Sequence, residues 1–244
     1  MSIKYKKIFE GAFIERPNRF IAKVLVNGAE ETVHVKNTGR CRELLVKGCT
    51  VYLAEADNPA RKTRFDLVAV EKVRENGEIV LINMDSQLPN TAVYEWISRS
   101  GIFSADAEIR REVTHGDSRF DLFVRDSGRQ TFIEVKGVTL ESNGVAMFPD
   151  APTERGAKHL RGLADAVAEG YEAYVVFVIQ LNEVHAFEPN GTTDPHFADE
   201  LSKAVSRGVN VIAVNCRVTP DSIEIDSPVA TPYPSVFALD DKLG

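Results

Sequence analysis

Apolar and polar residues alternate in short runs over the first third of the chain, a pattern typical of β-strands buried on one face. Turn residues separate the runs, and Asn76-Gly77, which stands between two alternating segments, is a strong hairpin signal. The segment CRELLVKG interrupts the series and predicts a short helical stretch. Short strands at this spacing predict a five-stranded all-β barrel of the oligonucleotide-binding (OB) type over residues 1–86.

The pattern changes after the segment DSQLPN, where we expect the boundary between two domains. The next segment, TAVYEWISRSG, predicts a helix that opens at Asn90 or Thr91. Three strands follow it, in EIRREVTHG, SRFDLFV and QTFIEVKGVTL. The remainder alternates helix and strand in TERGAKHLRGLADAVAEG, YEAYVVFVIQL, FADELSKAVSRG and VNVIAVNCRV. This order predicts an α/β domain with a mixed sheet over residues 87–244.

The strand QTFIEVKGVTL carries two charged residues, Glu134 and Lys136, in an apolar setting. Residues two apart in a strand point to the same face, so these two side chains share one side. Asp121 interrupts the preceding apolar strand, and the short turn between the strands predicts that it lies near Glu134. Two carboxylates that close repel unless a cation lies between them, and Mg²⁺ prefers oxygen ligands. Lys136 would then stabilise negative charge or orient a water molecule.

The same residues also fit a polar sheet face with a Glu–Lys ion pair worth less than about 1 kcal/mol. The pattern alone does not separate a metal site from this alternative. The segment FPDAPTERGAKHLRGL adds two cations, Arg155 and His159, which lie four residues apart near the start of a helix. They could reach a phosphate held at the metal, or they could belong to a solvated helix face.

The charge distribution says more about partners than the net charge of −7 does. Residues 1–88 carry 15 Lys/Arg against 12 Asp/Glu, whereas residues 89–244 carry 14 against 24. A mildly basic part joined to an acidic part suits phosphate contact by the first and cation binding by the second.

Two further features narrow the class of protein. The three cysteines lack the spacing of a zinc site and are too few and too irregular for a disulfide framework. No apolar run approaches the ~20 residues of a membrane-spanning helix, and the N-terminal segment lacks the apolar core of a secretory signal. We therefore expect a cytoplasmic protein without a membrane partner.

Two groups of polar and cationic residues in the barrel are candidates for nucleic-acid contact. One lies in and just after a strand, and the other is the basic loop ARKTRF, next to Phe65. Barrels of this kind bind single strands through a basic groove with stacking rings. An ordinary solvated loop is the alternative for the second group. The candidates are His34, Asn37, Arg40, Arg42, Arg61, Lys62 and Arg64.

The order of the charged residues in the second domain is similar to that of the PD-(D/E)xK nuclease superfamily. The segments HVKNTGRCRELL, SRFDLFV, FIEVKGVTL and FPDAPTERGAKHLRGL together resemble the sugar fermentation stimulation protein family, in order and over nearly the whole chain. The resemblance implies an OB barrel joined to a PD-(D/E)xK domain, DNA binding without marked sequence preference, and a regulatory link to sugar use. It also matches Asp121, Glu134 and Lys136 to the superfamily's signature positions. An extra acid would come from Glu95 or Glu112, and we favour Glu112 because it neighbours the Asp121 strand.

These observations favour a Mg²⁺-dependent or Mn²⁺-dependent nuclease that acts on DNA, with RNA and a homodimer left open. The alternative is a DNA-binding regulator that uses a nuclease-like scaffold without turnover. A small-molecule enzyme is disfavoured because GxGxxG, GxxxxGK[ST], GxSxG and HExxH are all missing from the sequence. The expected metal ligands are Asp121 and Glu134, and the expected catalytic residues are Asp121, Glu134, Lys136, Glu112 and Arg155.

Overall fold

The first domain is a small closed β-barrel, seen in a computed structural model that describes residues 3–37, 39–58 and 60–237. Its strands pair antiparallel in the order β4-β3-β2-β5-β6, and a short parallel contact between β4 and β6, at His34 with Asp66, closes the barrel. The predicted five-stranded OB-type barrel is therefore confirmed. A further strand, β7, continues from β6 outside the closed part. The bounds are β2 (Ile8–Asn18), β3 (Ile21–Val26), β4 (Ala29–Val35), β5 (Thr50–Glu55), β6 (Phe65–Val73) and β7 (Ile79–Asn83).

The segment CRELLVKG is not helical, contrary to the prediction. Residues 41–48 form successive turns, in which Leu44 and Leu45 both donate a backbone hydrogen bond to the carbonyl of Cys41. Cys41 itself has a positive φ of 43°, which interrupts a helical path. Both leucines are buried in the barrel core, so tertiary packing rather than helix formation places this segment.

The second domain is built on a seven-stranded mixed sheet, which confirms the predicted class. The strand order is β1-β16-β15-β13-β10-β9-β8, with β10, β13 and β15 parallel to one another and the remaining pairs antiparallel. The first strand of the chain, β1, joins this sheet rather than the barrel, so the chain enters the second domain before it forms the first. The bounds are β1 (Ile3–Lys4), β8 (Glu108–His115), β9 (Ser118–Asp126), β10 (Arg129–Val138), β13 (Glu172–Ile179), β15 (Asn210–Thr219) and β16 (Ser222–Pro228).

Helices cover the sheet on both faces. Helix α1 (Leu88–Ile97) packs in one apolar cluster with Ile133 and Val135, while α2 (Glu154–Ala168) packs in another cluster with Phe132 and Phe177. Helix α1 begins before the predicted Asn90 or Thr91, because Pro89 suits the first turn of a helix. The side chain of Thr153 caps α2 by accepting a hydrogen bond from the Gly156 amide.

A small third sheet and one more helix complete the domain. The sheet contains β11 (Leu140–Ser142), β12 (Val145–Phe148) and β14 (Ala186–Pro189), three strands that the sequence pattern did not predict. Helix α3 (Pro195–Ser206) is capped by Asp194. No helix in the described part of the chain has the length and apolar character needed to cross a membrane.

The two domains meet through buried polar groups. The Asn83 amide at the end of β7 donates to the carbonyl of Gln180 at 2.8 Å, and the Gln180 side chain donates back to Asn83 and to the carbonyl of Asp85. The Asp85 carboxylate, fully buried, accepts from Lys36 at 2.6 Å. Since Lys36 follows β4, this contact joins the end of that strand to the segment that leads from β7 into α1.

Candidate functional site

Asp121 lies at the point where the β9–β10 ladder stops. The antiparallel pairs run from Arg129 with Asp126 to Ile133 with Leu122, one residue short of Glu134 and Asp121. Instead of continuing the ladder, Asp121 Oδ2 accepts a hydrogen bond from the Val135 amide at 2.7 Å. The other oxygen, Oδ1, accepts from the Asn90 side chain near the start of α1 at 2.6 Å. Two donors from different elements thus fix this carboxylate.

Glu134 is buried in β10, with only 3% of its surface exposed. Its Oε1 accepts a hydrogen bond from Lys136 Nζ at 2.6 Å and also contacts Nδ1 of His159, which α2 places on this face of the sheet. Its Oε2 is buried without a hydrogen-bond partner among the described residues. A buried carboxylate oxygen normally has a partner, so this atom is the strongest sign that a ligand belongs here.

The electrostatics of the two carboxylates differ. Burial, together with the negative charge of Glu134, raises the pKa of Asp121 to about 6. Burial also acts to raise the pKa of Glu134, but the contacts with His159 and Lys136 outweigh it, so the pKa of Glu134 is lowered. A cation facing both groups would relieve the cost of keeping Asp121 charged.

The donor set fits a hard divalent ion with few protein ligands. Within the described ranges no group of three or more His, Cys, Asp and Glu side chains is arranged to hold a metal. Mg²⁺, however, is usually bound by one or two carboxylates and keeps several waters. Asp121 and Glu134, with the orphaned Oε2, meet that requirement.

The remaining predicted catalytic residues lie away from this pair. Glu112 is exposed on the edge strand β8 and forms an ion pair with Arg119 at 2.8 Å. Arg155 is exposed on α2, one turn before His159. Helix α1 supplies Asn90 rather than Glu95 as the contact to Asp121. The structure therefore brings together Asp121, Glu134 and Lys136, and does not pair Glu112 with them.

Sequence reasoning missed two residues of this site. The sequence pattern predicts Asn90 only as a helix start, because an amide side chain gives no charge signal in a sequence. The sequence pattern predicts His159, like Arg155, to be a cation that contacts a phosphate, whereas the structure shows it buried and in contact with Glu134. A histidine at this helical position was visible in the sequence, but only the packing of α2 on β10 shows its partner.

In the barrel, two of the predicted nucleic-acid residues hold a buried aspartate. His34 Nδ1 lies 2.9 Å from Asp66 Oδ1, and Arg61 donates to both Asp66 oxygens at 2.7 and 3.0 Å. Burial acts to raise the pKa of Asp66, but these two partners lower it overall. Arg64 is likewise engaged, since it pairs with Glu55 and lies 4.8 Å over the Phe65 ring.

Arg61 and Lys62, neighbours in one loop, should therefore respond differently to substitution. Arg61→Ala removes the bidentate hydrogen-bond partner of Asp66. We expect this substitution to lower the free energy of unfolding by about 1–3 kcal/mol. Lys62→Ala should leave stability unchanged because Lys62 is exposed. Urea unfolding of both variants checks this prediction. Because the pKa of Asp66 is lowered, its contribution is present at neutral pH and is lost as the pH falls through that pKa. Equal stability of the two variants would contradict the assignment.

Two of the other barrel candidates, Arg40 and Arg42, line a cleft of about 520 Å³ at the edge of the second domain, and Lys62 does not belong to its lining. Arg16 organises its wall by donating to the carbonyls of Asn37 at 2.6 Å and Gly39 at 2.8 Å. Asn37 also accepts from the Gly39 amide, so its side chain shapes the loop. Three exposed arginines line the cleft, and no described carboxylate forms an ion pair with them: Arg19, Arg40 and Arg42. The sequence pattern does not identify Arg16 and Arg19 as part of this cleft, because they lie on β2 and in the turn after it, far along the chain from Arg40 and Arg42.

The cleft joins two of the quoted sequence segments. A Cβ atom on Gly39 would lie 2.9 Å from Asp150 Oδ2, so the barrel loop closely approaches the second domain at this point. Ala151, next to Asp150, forms part of the cleft lining. The barrel segment GRCRELL and the segment FPDAPT before α2 are therefore neighbours in space.

Comparison with known proteins agrees with this architecture. Residues 14–82 match the family model for the SfsA N-terminal OB domain, and residues 87–222 match that for the sugar fermentation stimulation protein RE domain. A sugar fermentation stimulation protein homolog of Desulfitobacterium hafniense is 55% identical over 222 residues, covering 91% of this chain and 95% of the relative. A homolog from Clostridium beijerinckii is 53% identical over 223 residues, covering 91% and 96%.

A solved structure gives the same result. The structure of Pyrococcus furiosus SfsA in complex with Ca²⁺ superposes with a TM-score of 0.82 at 26% identity, covering 95% of this chain and 99% of that one. The fold of both domains is thus shared with this solved structure. The chain belongs to the sugar fermentation stimulation protein family.

Proposed function

We propose that this protein binds nucleic acid, DNA foremost, with little sequence preference, and cleaves phosphodiester bonds with the help of a divalent metal ion. The observation that carries the proposal is the convergence of Asp121 and Glu134 beside Lys136, with Glu134 Oε2 buried and unpartnered within the described residues. The alternative, a simple Glu134–Lys136 ion pair on a polar sheet face, explains neither the nearby Asp121 carboxylate nor the unpartnered Oε2 of Glu134.

The metal ion would be held by Asp121 and Glu134, and Mg²⁺ or Mn²⁺ suits these oxygen donors. When bound, it would supply electrophilic stabilisation of the phosphate and a more acidic water. The structure of the Pyrococcus furiosus relative in complex with Ca²⁺ supports divalent-ion binding, because Ca²⁺ shares the preference for oxygen ligands.

The side chains around the carboxylates have separable roles. Asn90 and the Val135 amide orient Asp121, and His159 holds Glu134 from the side of α2. Lys136 places a positive charge at the same point, where it would stabilise the charge that builds up on a phosphate during cleavage. The exposed cations Arg40, Arg42 and Lys62 would bind the phosphate backbone, a contact that does not depend on base sequence.

Thermal unfolding with added divalent ion tests the metal site directly. A ligand that binds only the folded state raises the melting temperature, so Mg²⁺ and Ca²⁺ should stabilise the wild-type protein. The double variant Asp121→Asn with Glu134→Gln should lose this rise, whereas Glu108→Gln, an exposed carboxylate on the edge strand, should keep it. Incubation with single-stranded, duplex and branched DNA and with RNA in Mg²⁺ or Mn²⁺ then tests cleavage. No ion-dependent rise and no cut substrate would together overturn the proposal.

A second candidate is DNA binding without cleavage, linked to regulation of sugar metabolism. One observation favours it: Lys136 and His159 both already contact Oε1 of Glu134, which leaves that oxygen little capacity for another ligand. This candidate predicts complexes that weaken steeply with added salt, as counterion release requires, and no product with any substrate.

A further inference from the structure

Two aromatic side chains stand out among the exposed apolar residues in the described part of the chain. Phe20 has 51% of its surface exposed and Tyr94 has 39%. Each carries an arginine on its ring: the Arg19 guanidinium lies 5.8 Å from the Phe20 centroid, and that of Arg111 lies 5.4 Å from the Tyr94 centroid. An exposed ring beside a cation is the pair of groups that a nucleotide contacts, base on ring and phosphate on cation.

The Phe20–Arg19 pair borders the arginine cleft. Arg19 lines the cleft, and Asn18 fixes the turn by accepting from the Phe20 and Ile21 amides at 2.9 and 3.1 Å. The Arg19 carbonyl is held by Arg16, which also shapes the opposite loop. Phe20 is therefore presented by an ordered turn beside three exposed arginines.

The Tyr94–Arg111 pair borders the carboxylate pair. Tyr94 lies one helical turn after Asn90, so both residues share a face of α1, and Asn90 donates to Asp121. Arg111 pairs in register with Leu122, the neighbour of Asp121 in β9. Arg111 also reaches Thr91 on α1 at 3.3 Å. This ring and cation thus lie beside the acidic site on its α1 side.

Direct contacts connect the two pairs through the site. The cleft touches Ala151 ahead of α2, His159 of α2 contacts Glu134, and Asn90 contacts Asp121. At a rise of about 1.5 Å per residue, the start of α2 and His159 are separated by roughly 8 Å along the helix. The cleft and the carboxylate pair are therefore joined through the first turns of α2.

We propose that the substrate of this site is single-stranded nucleic acid, with bases stacked on Phe20 and Tyr94 and phosphates held by the arginines of the cleft. In a duplex the bases are stacked on one another and their faces are closed, whereas a single strand offers them to protein rings. The inference rests on the proposed function and adds the substrate class to it. Many arginine–aromatic pairs on protein surfaces bind no ligand. The Phe20–Arg19 and Tyr94–Arg111 pairs differ from such pairs because they lie beside the arginine cleft and the carboxylates.

Fluorescence anisotropy of a labelled 20-nucleotide DNA without self-complementarity, against the same sequence as a duplex, tests the inference. The full-length protein is used with EDTA present, so that binding is measured without cleavage. We expect the single strand to bind at least about tenfold more tightly, and Phe20→Ala and Tyr94→Ala each to weaken its binding by about 5- to 150-fold. Tyr94→Phe and Phe20→Tyr, which keep a ring, should restore the affinity.

The matched control is Ile79→Ala, which removes an apolar side chain that is 62% exposed, more than either ring, on strand β7. It should leave binding within about twofold of the wild type. Equal or tighter binding of the duplex, or ring removal with no more effect than Ile79→Ala, would overturn this inference and leave the proposed function standing. Absence of binding to either form would instead overturn nucleic-acid binding itself.

Discussion

We expect Lys136→Ala to lower the rate of the proposed metal-dependent cleavage by at least about 100-fold while the protein stays folded. Lys136 Nζ lies 2.6 Å from Glu134 Oε1 and so stands at the point where negative charge would build up on the phosphate. Loss of one preorganised charged donor at such a point typically costs two to three orders of magnitude. Single-turnover cleavage of a labelled oligonucleotide measures the rate, and far-ultraviolet circular dichroism checks the fold.

The matched control for this variant is Lys6→Ala. Lys6 is exposed and pairs with Asp57 at the surface, so its removal should change neither the rate nor the fold. If Lys136→Ala cleaves as fast as the wild type, the cleavage does not depend on this site and the assignment is wrong. The rise in melting temperature on adding Mg²⁺ is measured on the same variant. If the rise is kept, Lys136→Ala has removed a catalytic charge, and if it is lost, the variant has also lost the metal site.

Glu141→Ala should cause the largest loss of stability, about 3–5 kcal/mol. Glu141 is fully buried at the start of the small sheet, and it accepts from Lys72 Nζ at 2.9 Å and from the Gly144 amide at 2.7 Å. Arg74 Nε lies 3.2 Å away, close enough for charge attraction although its orientation makes no hydrogen bond. Since Lys72 comes from barrel strand β6, removing the carboxylate leaves this lysine without its ion-pair partner at the domain junction, while Arg74 keeps its pair with Glu78.

The matched control is Glu183→Ala, which removes a 67% exposed carboxylate near the same Arg74 and should have little effect. Urea denaturation measures both variants. Burial acts to raise the pKa of Glu141, but Lys72 and the Gly144 amide lower it overall. A carboxylate with a lowered pKa stabilises the protein above its unfolded value of about 4.3, and that contribution is lost as the pH falls through the folded value. The difference between wild type and Glu141→Gln should therefore shrink in acid, and a pH-independent difference would contradict this account.

The sequence by itself determined both fold classes and the centre of the candidate site. Alternating apolar positions and turn residues are local signals. The barrel strands, and the change to alternating helices and strands in the second domain, are therefore predictable from the sequence. Asp121, Glu134 and Lys136 were detectable for a related reason: each interrupts an apolar strand, where a charge is costly to bury and needs an explanation. The boundaries at residues 1–86 and 87–244 followed from the same change of pattern, although residues 3–4 pair within the second sheet.

Only the tertiary structure decided which charged residues are partners and which are free. Arg61 and His34 look like surface cations in the sequence, yet they hold Asp66, while Glu112 forms an ion pair with Arg119. Asn90 and His159 join the carboxylates because α1 and α2 pack on opposite faces of one sheet. A local pattern reports burial and periodicity, but the partner of a side chain depends on contacts between residues distant in the chain. The arginine cleft, formed where barrel and second domain meet, depends on such contacts for the same reason.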